Sequence, residues 1–338
     1  MLKILHVPDL HLYDKEIGVS IGYAEQSVDI LNIIKDEFIQ GEYDLVTLGG
    51  DIQHAKINNT RYISIFQRML NDIGILVKNK LEEKGLLNRL KVYDKEGKLI
   101  DLSGREGVLF SVRGQHDTNN IEEFTFFDLL IENDVLMNPR IVTLDGLQLN
   151  FINYSRNPNE LVEKKLDTTE VLIGIYHNPI LEKGVYIDTI IGKTISPGLH
   201  NLFRDVDLAI INDIHIPIPI YEVAKGESKT TVITPGSLGR TSFNKSHDRD
   251  FGNMVKVEVD ENYDLKVELV EVDLIPSDEF FNKAEALKKK RTENAFNNFC
   301  LEIEDAKINY FDIYEELNRQ VKDEEIREIC FEILKQVD

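Results

Sequence analysis

The 338-residue chain is 42% hydrophobic and 29% charged, the composition of a globular protein with room for about two domains. Its 60 acidic and 39 basic residues give a net charge of −21, which argues against nucleic-acid binding through a basic surface. No apolar stretch approaches a membrane span, no secretion signal opens the chain, and only Cys300 and Cys330 are present. We therefore expect a cytoplasmic protein with no membrane partner.

Strand-like and helix-like segments alternate along the chain. Apolar runs predict strands at residues 2–7, 44–48, 108–113, 140–143, 147–153, 171–176 and 207–211. Helical spacing of apolar residues predicts helices at 24–39, 60–84 and 121–134. A surface hairpin with Gly97 in its turn is expected within 88–107, and residues 217–274 are predicted to be mainly strands. This order is typical of an α/β fold.

The character of the sequence changes after Pro276. Residues 278–338 contain neither proline nor glycine, and they predict two or three helices. We therefore place a boundary near residue 275. It separates a main domain, 1–275, from a helical C-terminal module, 276–338, that is a candidate partner-docking segment.

Polar residues follow five of the predicted strands directly. They are Asp9-x-His11, Gly50-Asp51, Gly114-Gln115-His116-Asp117, His177 and Asp213-Ile-His215. Sites in open α/β sheets lie at the carboxyl ends of strands, so we expect these groups to gather at one edge. Two divalent ions about 3.5–4 Å apart can clamp the attacking and leaving oxygens of a phosphoester. Asp51 is the candidate bridge between two ions, and His116 can protonate a leaving group.

In this order the motifs resemble those of the calcineurin-like metallophosphoesterases. The family pattern is Asp-x-His, Gly-Asp-x-x, Gly-Asn-His-Asp/Glu, a strand-end His and Gly-His-x-His. The resemblance covers roughly residues 1–275. It implies a four-layer α/β/β/α metallophosphoesterase sandwich, followed here by the small helical module.

The resemblance also implies a role for each matching position. One ion would be held by Asp9, His11 and His215, the second by Gln115, His177 and Asp213, and both by Asp51. His116 would be the catalytic acid, steadied by Asp117. Mn²⁺ is the expected ion at both positions, with Mg²⁺ as the alternative.

Two positions depart from the family pattern, and both fall on the second ion. Gln115 stands where Asn is usual, and its extra methylene moves the amide oxygen outward by ~1.5 Å. Asp213 stands where His is usual, and a hard oxygen donor favours Mn²⁺ or Mg²⁺ over softer metals. The two changes either compensate each other or weaken the second site, and both outcomes stay open.

The segment Thr234–Phe243 resembles the Pro-Gly-Ser…Arg element of SbcD-type DNA repair nucleases, including their phage-encoded versions. Within it, Arg240 either steers a phosphate or forms a structural salt bridge. His54 is close enough to Asp51 in sequence to touch substrate, and a structural role is equally open. The leading interpretation is therefore a metal-dependent DNA nuclease subunit of a recombination and repair complex. The resemblance implies a homodimer that acts on DNA with an SbcC-like, SMC-type ATPase.

Two alternatives remain. The chain could be a catalytically impaired relative that serves as a docking or inhibitory module on a nuclease complex. Gln115, Asp213 and an acidic surface that imitates DNA favour that interpretation. It could also be a phosphodiesterase for small substrates.

Overall fold

We describe the fold from a computed structural model of the chain. The described residues are 1–16, 20–118, 124–155, 157, 162–180, 202–226, 228–241, 248–282 and 327–328. The chain divides into two compact units, Met1–Phe280 and Phe281–Asp338. The helical module predicted for 276–338, with both cysteines, lies almost wholly outside the described residues.

The described residues form thirteen strands, four α-helices and one short 3-10 helix. The strands are β1 (Leu2–Val7), β2 (Leu45–Leu48), β3 (Leu90–Tyr93), β4 (Leu99–Ile100), β5 (Phe110–Ser111), β6 (Ile141–Leu144), β7 (Leu147–Ile152), β8 (Val171–His177), β9 (Leu208–Asn212), β10 (Ile218–Lys225), β11 (Ser228–Thr234), β12 (Phe251–Val259) and β13 (Leu265–Asp273). The helices are α1 (Tyr23–Gln40), α2 (Thr60–Glu83), α3 (Phe126–Glu132) and α4 (Ser277–Phe280), and the 3-10 helix is Leu87–Arg89.

The strands build two mixed sheets. The five-stranded sheet has the order β13-β12-β1-β2-β5, and the eight-stranded sheet has the order β10-β11-β9-β8-β7-β6-β3-β4. Strands β1, β2 and β5 run parallel to one another, as do β7, β8, β9 and β11. Antiparallel strands complete both sheets. The prediction of an α/β fold is confirmed, with its strands in two mixed sheets.

The two sheets share one apolar core. Side chains alternate along β8, so Ile173 and Ile175 enter the core shared with β1 and β2. Leu172 and Tyr176, on the opposite face of the same strand, belong to a second core with Phe203. Because both of its faces are covered, β8 is buried at every residue, which explains its continuous apolar sequence.

The two long helices, α1 and α2, pack against each other, and α2 also contacts β2 of the five-stranded sheet. In α2 the buried residues recur every three or four positions, as one face of a helix requires. These residues are Phe66, Leu70, Ile73, Val77 and Leu81. Asn59 caps the start of this helix, because its side chain accepts a hydrogen bond from the Arg61 amide at 3.0 Å.

Within the described residues, no helix combines the length and apolar character needed to cross a bilayer.

The structure corrects two predicted bounds. The strand predicted at 108–113 is reduced to β5, because it pairs with β2 only at Thr47↔Phe110 and Leu48↔Ser111. The helix predicted at 121–134 begins at Phe126, where the Thr125 hydroxyl caps the Asp128 amide. Residues 119–123 lie outside the described part of the chain.

Candidate metal centre

The candidate residues follow five parallel strands at their carboxyl ends. Asp9 and His11 follow β1, Asp51 follows β2, the segment 114–117 follows β5, His177 ends β8, and Asp213 and His215 follow β9. Three of these strands belong to one sheet and two to the other. The structure brings their side chains together where the carboxyl ends of the two sheets meet.

Three of these residues adopt left-handed backbone conformations that non-glycine residues rarely occupy. Their φ angles are 47° at His11, 43° at Asp51 and 72° at Asp213. Hydrogen bonds hold them there: the His11 amide donates to Asp51 O at 2.8 Å, and the Asp213 amide donates to Asp9 Oδ2 at 3.0 Å. Strained backbone supported by its surroundings is typical of functional sites.

Two glycines let the turns approach one another. A Cβ on Gly50 would lie 2.6 Å from His177 Nδ1, and one on Gly114 would collide with the carboxylate of Asp51. Gly50 also has a φ of 94°, which favours glycine in its own right. The glycines of the Gly-Asp and Gly-Gln-His-Asp motifs are therefore required because no side chain fits at these positions.

The first group of ligand atoms comes from Asp9, His11 and His215, and these atoms lie within 4.8 Å of one another. His11 Nε2 is 3.0 Å from His215 Nε2, and the latter is 3.8 Å from Asp9 Oδ2. Burial is the largest effect on the two imidazoles. It lowers the pKa of His215 to about 4 and that of His11 well below its usual value. Neutral imidazoles of this kind can bind a cation.

The second group comes from Asp9, Asp51 and His177, all buried, with ligand atoms again within 4.8 Å of one another. His177 Nδ1 donates to Gly49 O at 2.6 Å, which leaves Nε2 directed at Asp51 Oδ1, 3.3 Å away. Burial would lower the pKa of His177, but the carboxylates of Asp51 and Asp9 raise it well above its usual value. The two groups share Asp9, so they are neighbouring positions in one centre.

Several buried polar atoms of this centre have no hydrogen-bond partner in the described structure. They include Asp9 Oδ1, Asp51 Oδ2 and His177 Nε2. Burial raises the pKa of Asp9, and the nearby charge of Asp51 raises it further. Divalent cations would satisfy these atoms and relieve the repulsion between the carboxylates. The donor set of carboxylate oxygens and imidazole nitrogens fits Mn²⁺ or a similar ion.

His116 lies beside this centre with 34% of its side chain exposed. Its Nδ1 donates to the carbonyl oxygen of His54 at 2.7 Å, so Nε2 is the free ring nitrogen, 4.0 Å from Asp51 Oδ2. The rings of His54 and His116 also stack with centroids 5.2 Å apart. A third group of possible ligands consists of His11, His54 and His116.

Asp117 was expected to steady His116, and the structure gives it different contacts. Its carboxylate accepts hydrogen bonds from the Gly114 amide at 3.0 Å and the Gln53 amide at 3.3 Å. Burial raises the pKa of Asp117 to about 7, with the charge of Asp51 as the second cause. Asp117 therefore shapes the loop, whereas the carbonyl of His54 orients the imidazole.

Gln115 and Asp213 contact each other. Gln115 Nε2 donates to Asp213 Oδ1 at 3.2 Å, and the same oxygen is 3.9 Å from His177 Nε2. Burial raises the pKa of Asp213 to about 6, and the charge of Asp51 raises it further against the opposing effect of His177. Gln115 thus contacts Asp213 through its amide nitrogen, and its role as a ligand of the second ion stays a prediction.

Arg240 has no exposed surface, so this conformation gives it no route to a substrate. Its guanidinium stacks on Phe280 at 4.2 Å from the ring centroid, and Nη1 donates to Arg249 O at 2.9 Å. The Pro-Gly-Ser segment instead supports the centre from behind, because the Leu238 amide donates to Asp9 O at 3.0 Å. These contacts of Arg240 are structural ones, and its role in steering a phosphate stays a prediction.

Sequence reasoning missed a buried polar bridge beneath the centre. His6 Nε2 lies 3.0 Å from Asn212 Oδ1, and His6 Nδ1 lies 3.0 Å from Thr47 Oγ1. The Asn212 amide donates to Tyr176 O at 2.9 Å. The available signal was a histidine inside an apolar strand, since a buried imidazole requires partners.

No protein-family model and no curated protein matches this chain. Among solved structures, a dimetal phosphatase from Danio rerio is similar at 13% identity and a TM-score of 0.42, covering 81% of this chain and 99% of that one. A 5'-nucleotidase precursor from Thermus thermophilus has 11% identity and a TM-score of 0.39, over 81% and 54% of the two chains. A hypothetical protein from the same organism has 11% identity and a TM-score of 0.41, over 81% and 100%. Likenesses this weak do not assign a family.

Proposed function

We propose that this chain is a phosphoesterase with two divalent ions and a four-layer α/β/β/α architecture. The observation that carries the proposal is the pair of neighbouring Asp/His groups at the carboxyl ends of parallel strands from both sheets. Asp9, His11 and His215 would hold one ion, and Asp51, His177 and Asp213 the other. Ions held by these residues would polarise the phosphoryl group and would supply a nucleophile at neutral pH.

Asp51 occupies the middle of the arrangement. Its Oδ1 accepts the His116 amide at 2.8 Å and lies 3.3 Å from His177 Nε2. Its Oδ2 lies 3.9 Å from His11 Nε2 on the other side. Burial opposes ionisation of Asp51, but His177 and His11 hold its pKa below the usual value. A carboxylate that stays ionised and faces both groups is suited to bridge two ions.

His116 supplies the proton-transfer group. Its Nδ1–H is held by the carbonyl of His54, so Nε2 faces the centre from the partly exposed side. A proton on Nε2 can pass to the leaving oxygen of a phosphoester bound over the ions. The neighbouring His54 ring stacks against it and restricts its rotation.

We further propose that the substrate is a DNA phosphodiester and that the chain is the SbcD-type subunit of a recombination and repair complex. The motif order and the Pro-Gly-Ser segment packed behind Asp9 support this assignment. The net charge of −21 opposes direct DNA binding. In this proposal the cations bridge to phosphate, and an SbcC-like ATPase supplies the basic surface to a homodimer.

The test uses the metal-stripped full chain, reloaded with Mn²⁺ or Mg²⁺. We expect Mn²⁺-dependent hydrolysis of bis-p-nitrophenyl phosphate in preference to the monoester, and cleavage of linear DNA that increases with the ATPase. Asp51→Asn should lower the diesterase rate by at least about 100-fold, because one change affects both ions. A chain that binds two ions yet cleaves neither ester nor DNA would refute catalysis.

A catalytically impaired docking module is the second candidate. The observation that favours it is the contact between Gln115 and Asp213 at the second ion position. The double variant Gln115→Asn/Asp213→His discriminates the two. If activity appears only in that variant, the unsubstituted chain is the impaired relative.

A further inference from the structure

We propose that Gln115 is a positioning residue that orients Asp213, and that the pair makes the second ion position selective for a hard cation such as Mn²⁺ or Mg²⁺. This inference rests on the proposed two-ion centre and specifies its metal preference. In it, Asp213 is the ligand and Gln115 does not bind the ion.

The direction of the hydrogen bond supports this division of roles. Gln115 Nε2 lies 3.2 Å from Asp213 Oδ1. A carboxylate oxygen accepts hydrogen bonds, so the reversed amide would place two acceptors against each other. The nitrogen of the Gln115 amide, and not its oxygen, is therefore the atom that meets Asp213.

The backbone of Asp213 is fixed independently of Gln115. Its amide donates to Asp9 Oδ2 at 3.0 Å, and its φ of 72° directs the side chain back toward His177. Asn212, the preceding residue, is held by His6 and by the carbonyl of Tyr176. What remains free is rotation of the carboxylate, and the bond from Gln115 removes that freedom. Outer partners of this kind orient metal ligands in many sites.

The two ion positions then differ in chemistry. The first takes Asp9, His11 and His215, with Asp51 as the proposed bridge, which makes two carboxylates and two imidazoles. The second takes one imidazole, His177, whose Nε2 lies 3.3 Å from Asp51 Oδ1 and 3.9 Å from Asp213 Oδ1. Two carboxylates with a single imidazole form a set richer in hard oxygen than two carboxylates with two imidazoles, and such a set favours Mn²⁺ or Mg²⁺ over Zn²⁺.

The experiment measures stepwise Mn²⁺ binding to the metal-stripped full chain by calorimetry and electron paramagnetic resonance. Gln115→Asn shortens one partner by a methylene, and Asp213→Glu lengthens the other. Each variant should lower the affinity for the second ion by about 10-fold and leave the affinity for the first unchanged, as loss of an orienting partner does. The double variant should recover to within about threefold of the unsubstituted chain, because the contact is restored.

Gln40→Asn, an exposed glutamine at the end of α1, is the matched control and should change neither affinity. If Gln115 were itself a ligand, the two losses would multiply to about 100-fold in the double variant, which would overturn the inference. An unsubstituted chain that binds no Mn²⁺ would overturn the proposed function as well. Two bound ions with multiplying losses would overturn the pairing alone.

Discussion

His6 is a side chain that connects the two sheets directly beneath the centre. Because the Asn212 amide donates to Tyr176 O, the Asn212 oxygen must accept, and His6 carries its proton on Nε2. His6 Nδ1 then accepts from the Thr47 hydroxyl. The neutral imidazole of His6 thereby holds Asn212, the residue before Asp213, in place. Protonation of His6 would disrupt these hydrogen bonds, so the stability of the fold depends on its protonation state.

The first prediction concerns pH and His6. Burial lowers its pKa to about 4, with the Asn212 bond opposing the shift, whereas an unfolded histidine titrates near 6.5. The unfolded chain therefore binds this proton first, and stability is lost as pH falls from 6.5 to 4. The loss from this one group is about 3 kcal/mol.

Urea unfolding of the metal-free protein across this pH range tests it. We expect His6→Gln to be less stable at pH 7.5, because its bonds to Thr47 and Asn212 are weakened. The stability of this variant should also fall less steeply below pH 6.5, because the variant takes up one proton fewer on unfolding. His54 and His215, whose pKa values burial also lowers to about 4, remain in both proteins and provide the common background. Identical slopes would mean that His6 is protonated in the native state.

At the scale of elements, the turns that leave the strands decide the geometry of the centre. Gly50 connects β2 to Asp51 with a φ of 94° and leaves no room for a Cβ beside His177. Gly97, in the β3–β4 hairpin, has a comparable φ of 78° but no atom within 4 Å of a Cβ. A side chain at either position would suffer backbone strain, but only a side chain at Gly50 would also collide with a neighbour. Comparing the two positions therefore separates the two effects.

The second prediction uses this pair. Gly97→Ala should cost about 1 kcal/mol of stability through φ alone and leave catalysis unchanged. Gly50→Ala should cost a further 1–3 kcal/mol or so and lower Mn²⁺-dependent diesterase activity by more than about 10-fold, because His177 must move. Thermal unfolding and initial rates measure both effects. Equal activities in the two variants would show that His177 does not need its position.

The positions of the elements were largely predictable, and the contacts of the centre only partly so. Apolar runs locate β1, β2, β8 and β9 because a strand covered on both faces is apolar throughout. The strand-end rule then brings the acidic and imidazole groups to one place. The burial of Arg240 and the bond from His116 to the His54 carbonyl depend on loops distant in sequence. No local pattern encodes those contacts.

At the scale of the molecule, the candidate ligands come from both sheets. Asp9, His11 and Asp51 belong to the five-stranded sheet, and His177 and His215 to the eight-stranded one. Without cations, the buried carboxylates repel each other across this junction. Ions held there would connect the two sheets as well as serve catalysis.

The third prediction follows from this linkage. Mn²⁺ at about 100 times its dissociation constant should stabilise the folded chain by about 2.7 kcal/mol per ion, since the unfolded chain lacks the site. Thermal unfolding with and without a chelator measures the increment. In Asp51→Asn most of it should disappear, and the metal-free protein should also lose stability, because His177 and His11 favour the ionised form of Asp51 in the folded chain. An increment that survives in this variant would place the ions elsewhere.

The core between the two sheets also bears on the proposed centre. Phe110 of β5 and Phe151 of β7 meet edge to face across the two sheets with centroids 5.9 Å apart. Such contacts set the spacing between the layers, and the layers carry the two halves of the ligand set. If ions are held as proposed, the ionic radius that fits the centre would depend in part on aromatic side chains that touch no ion. A change of metal preference would then be possible with every acidic and imidazole group intact.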